Sequence, residues 1–99
     1  MPTLNVPSVT PTPGLVSAVA TGGSAVTVFP ANINGGFIQN PSTATEYLFV
    51  NAIDSATTTA QGNTFGIAPG GSWDAIPGQN TPTTCNAVSS GHAFSSTYW

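Results

Sequence analysis

The chain of 99 residues contains no lysine and no arginine, and its three acids and one histidine give a formal net charge of −3. Nucleic-acid binders and polybasic membrane anchors both depend on Lys and Arg, so neither class fits this sequence. The length indicates one domain, and because a chain this short buries only about 60–65% of its unfolded surface, we expect self-association or a partner to add stability.

The first 15 residues contain four prolines and predict an extended N-terminal arm, with residues 16–99 forming the folded domain. Proline at this density disfavours helix and favours extended backbone. Fully extended, 15 residues reach about 50 Å, further than a domain of this size is wide. A frayed tail is the alternative, but the apolar residues in this segment would then be left in water. The arm residues predicted to contact a partner are Pro2, Leu4, Val6, Pro7, Val9, Pro11, Pro13 and Leu15.

Beyond residue 15, short apolar and β-branched segments alternate with turn residues. The predicted strands are 15–20, 25–29, 35–39, 46–53, 64–67, 72–76, 83–88 and 92–99. No window of about 11 residues has a helical apolar stripe free of Gly and Pro. The pattern predicts an all-β fold of seven or eight strands, a small β-sandwich or a jelly-roll-like barrel.

Apolar residues of these segments predict the core and a possible contact surface. The predicted core residues are Val26, Val28, Phe37, Leu48, Val50, Phe65, Ile67, Trp73, Ile76, Val88 and Phe94. Aromatic residues are enriched at protein interfaces, so Trp73, Tyr98 and Trp99 are also predicted contact residues. Two roles stay open for Trp99, which either closes the sandwich or docks on a neighbour.

Residues capable of catalysis are few and dispersed. His92 is the only imidazole, no Gly-x-Ser-x-Gly elbow is present, and spacing alone does not join His92 to Cys85. Glu46, Asp54 and Asp74 are the whole supply for a carboxylate pair, and loop or cap roles account for both aspartates. One His, one Cys and three dispersed acids are too few for a metal cage. We therefore expect no enzyme activity, no cofactor and no metal site. His92 is expected to cap a sheet edge or to bond a backbone group, and Cys85 to be a half-buried thiol in a strand.

The longest apolar runs have four to five residues, far short of the roughly 20 that a membrane helix needs. The first residues have neither the basic region nor the apolar core of a secretory signal peptide. We expect synthesis in a cytoplasm.

Four segments in order carry a resemblance to a known class of protein. They are Gly-Gly-Phe-Ile-Gln-Asn-Pro at 35–41, Glu-Tyr-Leu-Phe-Val-Asn at 46–51, Ala-Pro-Gly-Gly-Ser-Trp at 68–73 and Val-Ser-Ser-Gly-His-Ala-Phe at 88–94, followed by a final Trp. Together they resemble small virion proteins of tailed bacteriophages. The resemblance implies a β-sandwich protein bound to the outside of a capsid, or a small neck or tail component, with an extended arm reaching neighbouring subunits. It carries over no enzymatic residues.

The leading expectation is thus a capsid decoration or cementing protein of the virion. Its expected partners are the major capsid protein or other virion proteins, together with further copies of itself. The alternatives are a neck, tail or fibre-base component, and a carbohydrate- or surface-binding module that uses Trp73, Tyr98 and Trp99.

Overall fold

The computed structural model describes residues 9–99, which form ten short β-strands and no helix. The strands are β1 Thr12–Pro13, β2 Ala18–Val19, β3 Val26–Phe29, β4 Gly36–Gln39, β5 Leu48–Asn51, β6 Phe65–Ile67, β7 Ser72–Asp74, β8 Thr83–Asn86, β9 His92–Ala93 and β10 Ser95–Tyr98. The predicted all-β class is confirmed. The strands outnumber the seven or eight expected because several are only two residues long, and because the predicted last strand divides at Phe94 into β9 and β10.

Two four-stranded antiparallel sheets and one short pair make up the fold. Sheet 1 has the order β1-β10-β4-β7, sheet 2 has the order β3-β8-β5-β6, and β2 pairs with β9. Both four-stranded sheets are open, so the arrangement is consistent with a small β-sandwich and not with a closed barrel.

The core lies between the two sheets because inward and outward side chains alternate along each strand. In β4, for example, Ile38 is fully buried whereas Phe37 and Gln39 face outward. Sheet 2 contributes Phe29, whose ring lies 5.6 Å from that of Tyr98 in sheet 1. Gly36 makes this contact possible, since a Cβ there would lie 3.1 Å from the Phe29 ring.

Of the predicted core, Val28, Leu48, Val50, Ile67 and Phe94 are buried as expected. Val26 and Trp73 are partly buried and pack against the core. The prediction is wrong for four residues, which are exposed: Phe37, Phe65, Ile76 and Val88.

Each error has a local cause. Phe37 lies on the outward position of β4, opposite in direction to its buried neighbour Ile38. Phe65 begins β6, which is an edge strand with a neighbour on one side only. Ile76 and Val88 lie beyond the ends of β7 and β8, in turns that leave the sandwich.

Residues 9–15 lie along one side of the sandwich and join its two sheets. Strand β1 pairs with β10 at the edge of sheet 1, and the Gly14 amide donates to the Ser96 carbonyl. One residue later, the Leu15 amide donates to the Val28 carbonyl in sheet 2. The remainder of the predicted arm, residues 1–8, lies outside the described residues, and the boundary at residue 15 stays a prediction.

The sandwich has two distinct ends, the Trp99 end and the His92 end. At the Trp99 end, antiparallel pairing aligns Thr12, Tyr98 and Gly36, and the Ala75 amide donates to the Gly36 carbonyl. At the His92 end, the connection from β4 to β5 passes over the end of β6, and the β2–β9 pair lies beside it.

Candidate functional site

The predicted contact residues of the arm divide into two groups. Pro2, Leu4, Val6 and Pro7 lie outside the described residues. The other four, Val9, Pro11, Pro13 and Leu15, all have exposed side chains. Pro13 lies within β1, where the absence of an N–H suits an edge position. The described part of the arm is therefore held by its backbone while its apolar side chains face solvent.

The three predicted aromatic contact residues are instead partly buried. Trp73 pairs with Ile38 across β7 and β4 and packs against the core. Tyr98 packs against the core beside Phe29, and the Trp99 indole covers Gly35, where a Cβ would lie only 2.9 Å from the ring. In this structure the Trp99 side chain packs on Gly35 of its own chain.

The most exposed aromatic group lies elsewhere, on the outer face of sheet 2. The rings of Tyr47 and Phe49 lie 6.4 Å apart and nearly parallel, at 27°. Gly66 faces Phe49 on the neighbouring strand, and the Tyr47 ring occupies the space where a Gly66 side chain would be. Phe65, which pairs with Val50 and so lies on the other face of the sheet at its free edge, is 59% exposed. The strand prediction included Tyr47 and Phe49 but did not identify them as a surface.

At the His92 end, three polar residues distant in sequence form one hydrogen-bonded cluster. Nδ1 of His92 lies 3.2 Å from Oε1 of Glu46, and Nε2 lies 2.8 Å from Oδ1 of Asn40. Asn40 is fully buried, and its Nδ2 donates to the carbonyls of Glu46 and Ile67. Because those two bonds fix the amide orientation, Oδ1 must face the imidazole, and Nε2 must be the donor in that contact.

The Glu46 carboxylate accepts several hydrogen bonds. Besides His92, the Ser89 amide donates to Oε1 and the Ser89 hydroxyl donates to Oε2, each at 3.1 Å. The hydrogen bond from His92, followed by that from the Ser89 amide, lowers the pKa of Glu46 below its ordinary value, since both stabilise the charged form. The Glu46 side chain is 28% exposed and that of His92 only 5%.

This cluster acts as a structural tie, because the ring nitrogens of His92 and the amide of Asn40 contact groups from separate parts of the fold. The Asn40 amide joins the end of β4 to the start of β5 and the end of β6, and so links the two sheets. An open cleft of about 280 Å³ lies beside the cluster, and its wall includes Glu46, His92 and Ser90. The sequence had predicted that His92 would cap a sheet edge or bond a backbone group; its ring instead contacts two side chains.

Cys85 is fully buried in β8, deeper than the half-buried position expected. Burial raises the pKa of its thiol to about 12, because the surrounding apolar groups disfavour the thiolate. Among residues 9–99, no three potential metal ligands lie together. In the same range no helix is long and apolar enough to cross a membrane.

No family model, no curated protein and no solved structure matches this chain.

Proposed function

We propose that this protein is a structural component of a virion, a decoration or cementing protein that binds the outside of a shell. The observation that carries the proposal is the surface, which pairs many exposed apolar side chains with almost no charge. Eight large apolar residues are exposed within residues 9–99: Val9, Leu15, Phe37, Tyr47, Ile53, Phe65, Ile76 and Val88. Soluble monomers ordinarily carry a higher density of mixed charge, whereas a protein that stays on other proteins can bury such groups.

Two features support an attachment by backbone as well as by side chains. Strand β1 is an edge strand, and the chain enters it at the Trp99 end of the sandwich. An extended segment that continues from a sheet edge can add hydrogen bonds to a neighbouring sheet. Many such weak contacts, repeated over a symmetric shell, would reinforce one another.

The resemblance of residues 35–99 to small phage virion proteins also fits a neck, tail or fibre-base component. Copy number separates the two locations, because a shell protein covers many equivalent sites while a neck or tail protein forms one ring. We expect light scattering of the purified chain to show a homo-oligomer. A strict monomer would mean that its apolar surface is covered by the host assembly alone.

Truncation tests the arm. Deleting residues 1–8 leaves every described contact in place, whereas deleting residues 1–14 also removes β1 from the edge of sheet 1. We expect the first truncation to keep the far-ultraviolet dichroism of the full chain and to lose occupancy on shells assembled without the protein, quantified by gel densitometry. Full occupancy by the shorter chain would contradict the arm, and failure of the full chain to bind shells would contradict the decoration role.

A second candidate function, a carbohydrate- or surface-binding module, is favoured by the Tyr47–Phe49 pair. Nearly parallel aromatic rings on an open sheet face offer a surface for stacking a sugar ring. On a glycan array, a binder of this type would lose signal on Tyr47→Ala and keep it on Trp73→Ala, because Trp73 packs against the core. Loss of signal on Trp73→Ala, with the signal kept on Tyr47→Ala, would indicate that the residues predicted from sequence bind the sugar instead.

A further inference from the structure

An apolar cleft of about 330 Å³ opens at the Trp99 end of the sandwich. Its two exposed walls are Ile53 and Ile76, which are 66% and 67% exposed. The lining also includes Gln79 and Thr81, and no lining residue is charged. A ligand for this cleft should therefore be apolar and uncharged.

Both walls are held in place by hydrogen-bonded turns. The Asn51 side-chain oxygen accepts hydrogen bonds from the amides of Ile53 and Asp54, each at 2.8 Å. These two bonds fix the turn that carries Ile53. On the other wall, the Gln79 amide donates to the Ile76 carbonyl across Pro77-Gly78, with Gly78 at a φ of 76°. Such turns fix the backbone that carries the two isoleucines of the cleft lining.

Between the walls, Gln79 carries a hydrogen-bond acceptor that the described chain does not use. The residue is 7% exposed, and its Nε2 donates to the Thr81 carbonyl and to the Thr83 hydroxyl. Its Oε1 is the one buried side-chain oxygen or nitrogen in residues 9–99 without a hydrogen-bond partner. An unpaired buried acceptor is costly, so a bound segment whose N–H reaches Oε1 after a small shift of the Gln79 side chain would be favoured.

The chain itself supplies a segment of this chemistry at the same end of the sandwich. In the register of sheet 1, Thr12 lies opposite Tyr98, and Tyr98 lies opposite Gly36. The Gly36 carbonyl accepts a hydrogen bond from the amide of Ala75, which precedes Ile76 in the chain. Residues 1–8, which precede this point, are uncharged in their side chains and include Leu4 and Val6.

Reach and direction together select the copy that is bound. Eight extended residues span up to about 28 Å. The three strand spacings between β1 and β7 amount to only about 14 Å. However, β1 runs antiparallel to β10, so the chain enters β1 at Thr12 from the Trp99 end. A segment that enters in this direction would have to turn back to reach the cleft of its own copy, whereas a second copy facing the Trp99 end would meet it directly.

We propose that residues 1–8 of one copy bind the Ile53–Ile76 cleft of a second copy, with Leu4 and Val6 between the two isoleucines. The contact deepens the proposed function, since it names a receptor for the arm. It would join copies head to tail, and such heterologous contacts close into rings or continue as arrays.

Paramagnetic relaxation in mixed samples of the full chain tests the contact. A nitroxide is attached through Thr3→Cys in copies at natural isotope abundance, and these are mixed with ¹⁵N-labelled wild-type copies. Cys85 is fully buried and escapes labelling. We expect the amide signals of Ile53, Ile76 and Asn80 to broaden severalfold more than those of Val88 and Ser89 at the His92 end. Ile76→Ser in the ¹⁵N copies should abolish the difference, whereas Val88→Ser, equally exposed and remote, should leave it.

Equal broadening at both ends, or none, would overturn the proposal. Broadening at the cleft only when nitroxide and ¹⁵N share one chain would also overturn it, because the segment would then bind its own copy. These results are independent of shell binding. If the chain binds shells but the cleft shows no broadening, the decoration role stands and this contact fails; the reverse pattern retains the contact and rejects the decoration role.

Discussion

Nε2 of His92 in β9 lies 2.8 Å from Oδ1 of the buried Asn40, and this contact ties the short β2–β9 pair to the end of sheet 1. The same amide donates to two backbone carbonyls, one before β5 and one at the end of β6. One side chain thus satisfies groups from three separate parts of the sandwich.

Replacing Asn40 with alanine should therefore destabilise the domain strongly. Two carbonyls, one buried and one partly buried, and one imidazole nitrogen lose a partner, and we expect a loss of about 2–4 kcal/mol in the free energy of unfolding. Urea unfolding followed by tryptophan fluorescence measures this. Asn80→Ala, at an exposed position, is the matched control and should change stability by less than about 0.5 kcal/mol. Equal effects for the two variants would contradict the tie.

The carboxylate of Glu46 predicts a dependence of stability on pH. Its folded-state pKa lies below the unfolded value of 4.5, so its contribution is fully present above that value and is lost as the pH falls through the folded pKa. Wild type should exceed Glu46→Gln in unfolding free energy at pH 6, and the gap should shrink toward zero between pH 4.5 and lower values.

As a control, His92→Gln is introduced into both the wild-type and the Glu46→Gln chain, and the two are compared again. Since the His92 hydrogen bond is the largest cause of the lowered pKa, the gap should be smaller and less pH-dependent there. A gap that widens as the pH falls would mean that the pKa of Glu46 is raised.

The contact between Gly35 and Trp99 predicts a steric effect. A Cβ at residue 35 would lie 2.9 Å from the indole, so Gly35→Ala should displace the ring and cost about 1–3 kcal/mol. A Trp73→Phe background leaves Trp99 as the remaining tryptophan. In that background, adding Gly35→Ala should shift the fluorescence emission to longer wavelength. The penalty should largely vanish when Trp99→Ala is combined with Gly35→Ala; an undiminished penalty would place the clash elsewhere.

Cys85 should react with a thiol reagent only when the domain opens. The thiol is buried and its pKa is raised to about 12, so native protein at pH 8 should react far more slowly than protein in urea. The reaction rate across a urea series should follow the unfolded fraction. Rapid reaction without denaturant would show that β8 opens locally.

Sequence alone predicted the fold class well because turn residues and period-two alternation are local signals. It placed Leu48 and Val50 in the core correctly, since they lie in the segment richest in aromatic and β-branched residues. It failed at Phe65 and Ile76, where burial depends on which strand is an edge and on where a turn leaves the sheet.

The polar cluster was out of reach for a related reason. Glu46 and His92 are 46 residues apart, and only the pairing of β9 beside the β4–β5 connection brings them together. No spacing in the sequence encodes that distance. The sequence predicted that His92 would cap a sheet edge or bond a backbone group, whereas its ring nitrogens contact the side chains of Glu46 and Asn40.

The position of β10 between β1 and β4 governs how fast the domain can fold. Strand β10 pairs with Thr12–Pro13 on one side and with Gly36–Gln39 on the other. Both partners are distant in the chain, so neither pairing can form until these distant segments have met. Loop-closure entropy must be lost before these hydrogen bonds compensate for it, and proteins dominated by such pairings fold in roughly milliseconds to seconds. During that interval the unpaired strands are open to other chains. Refolding yield should therefore fall with protein concentration, even where the native state is stable.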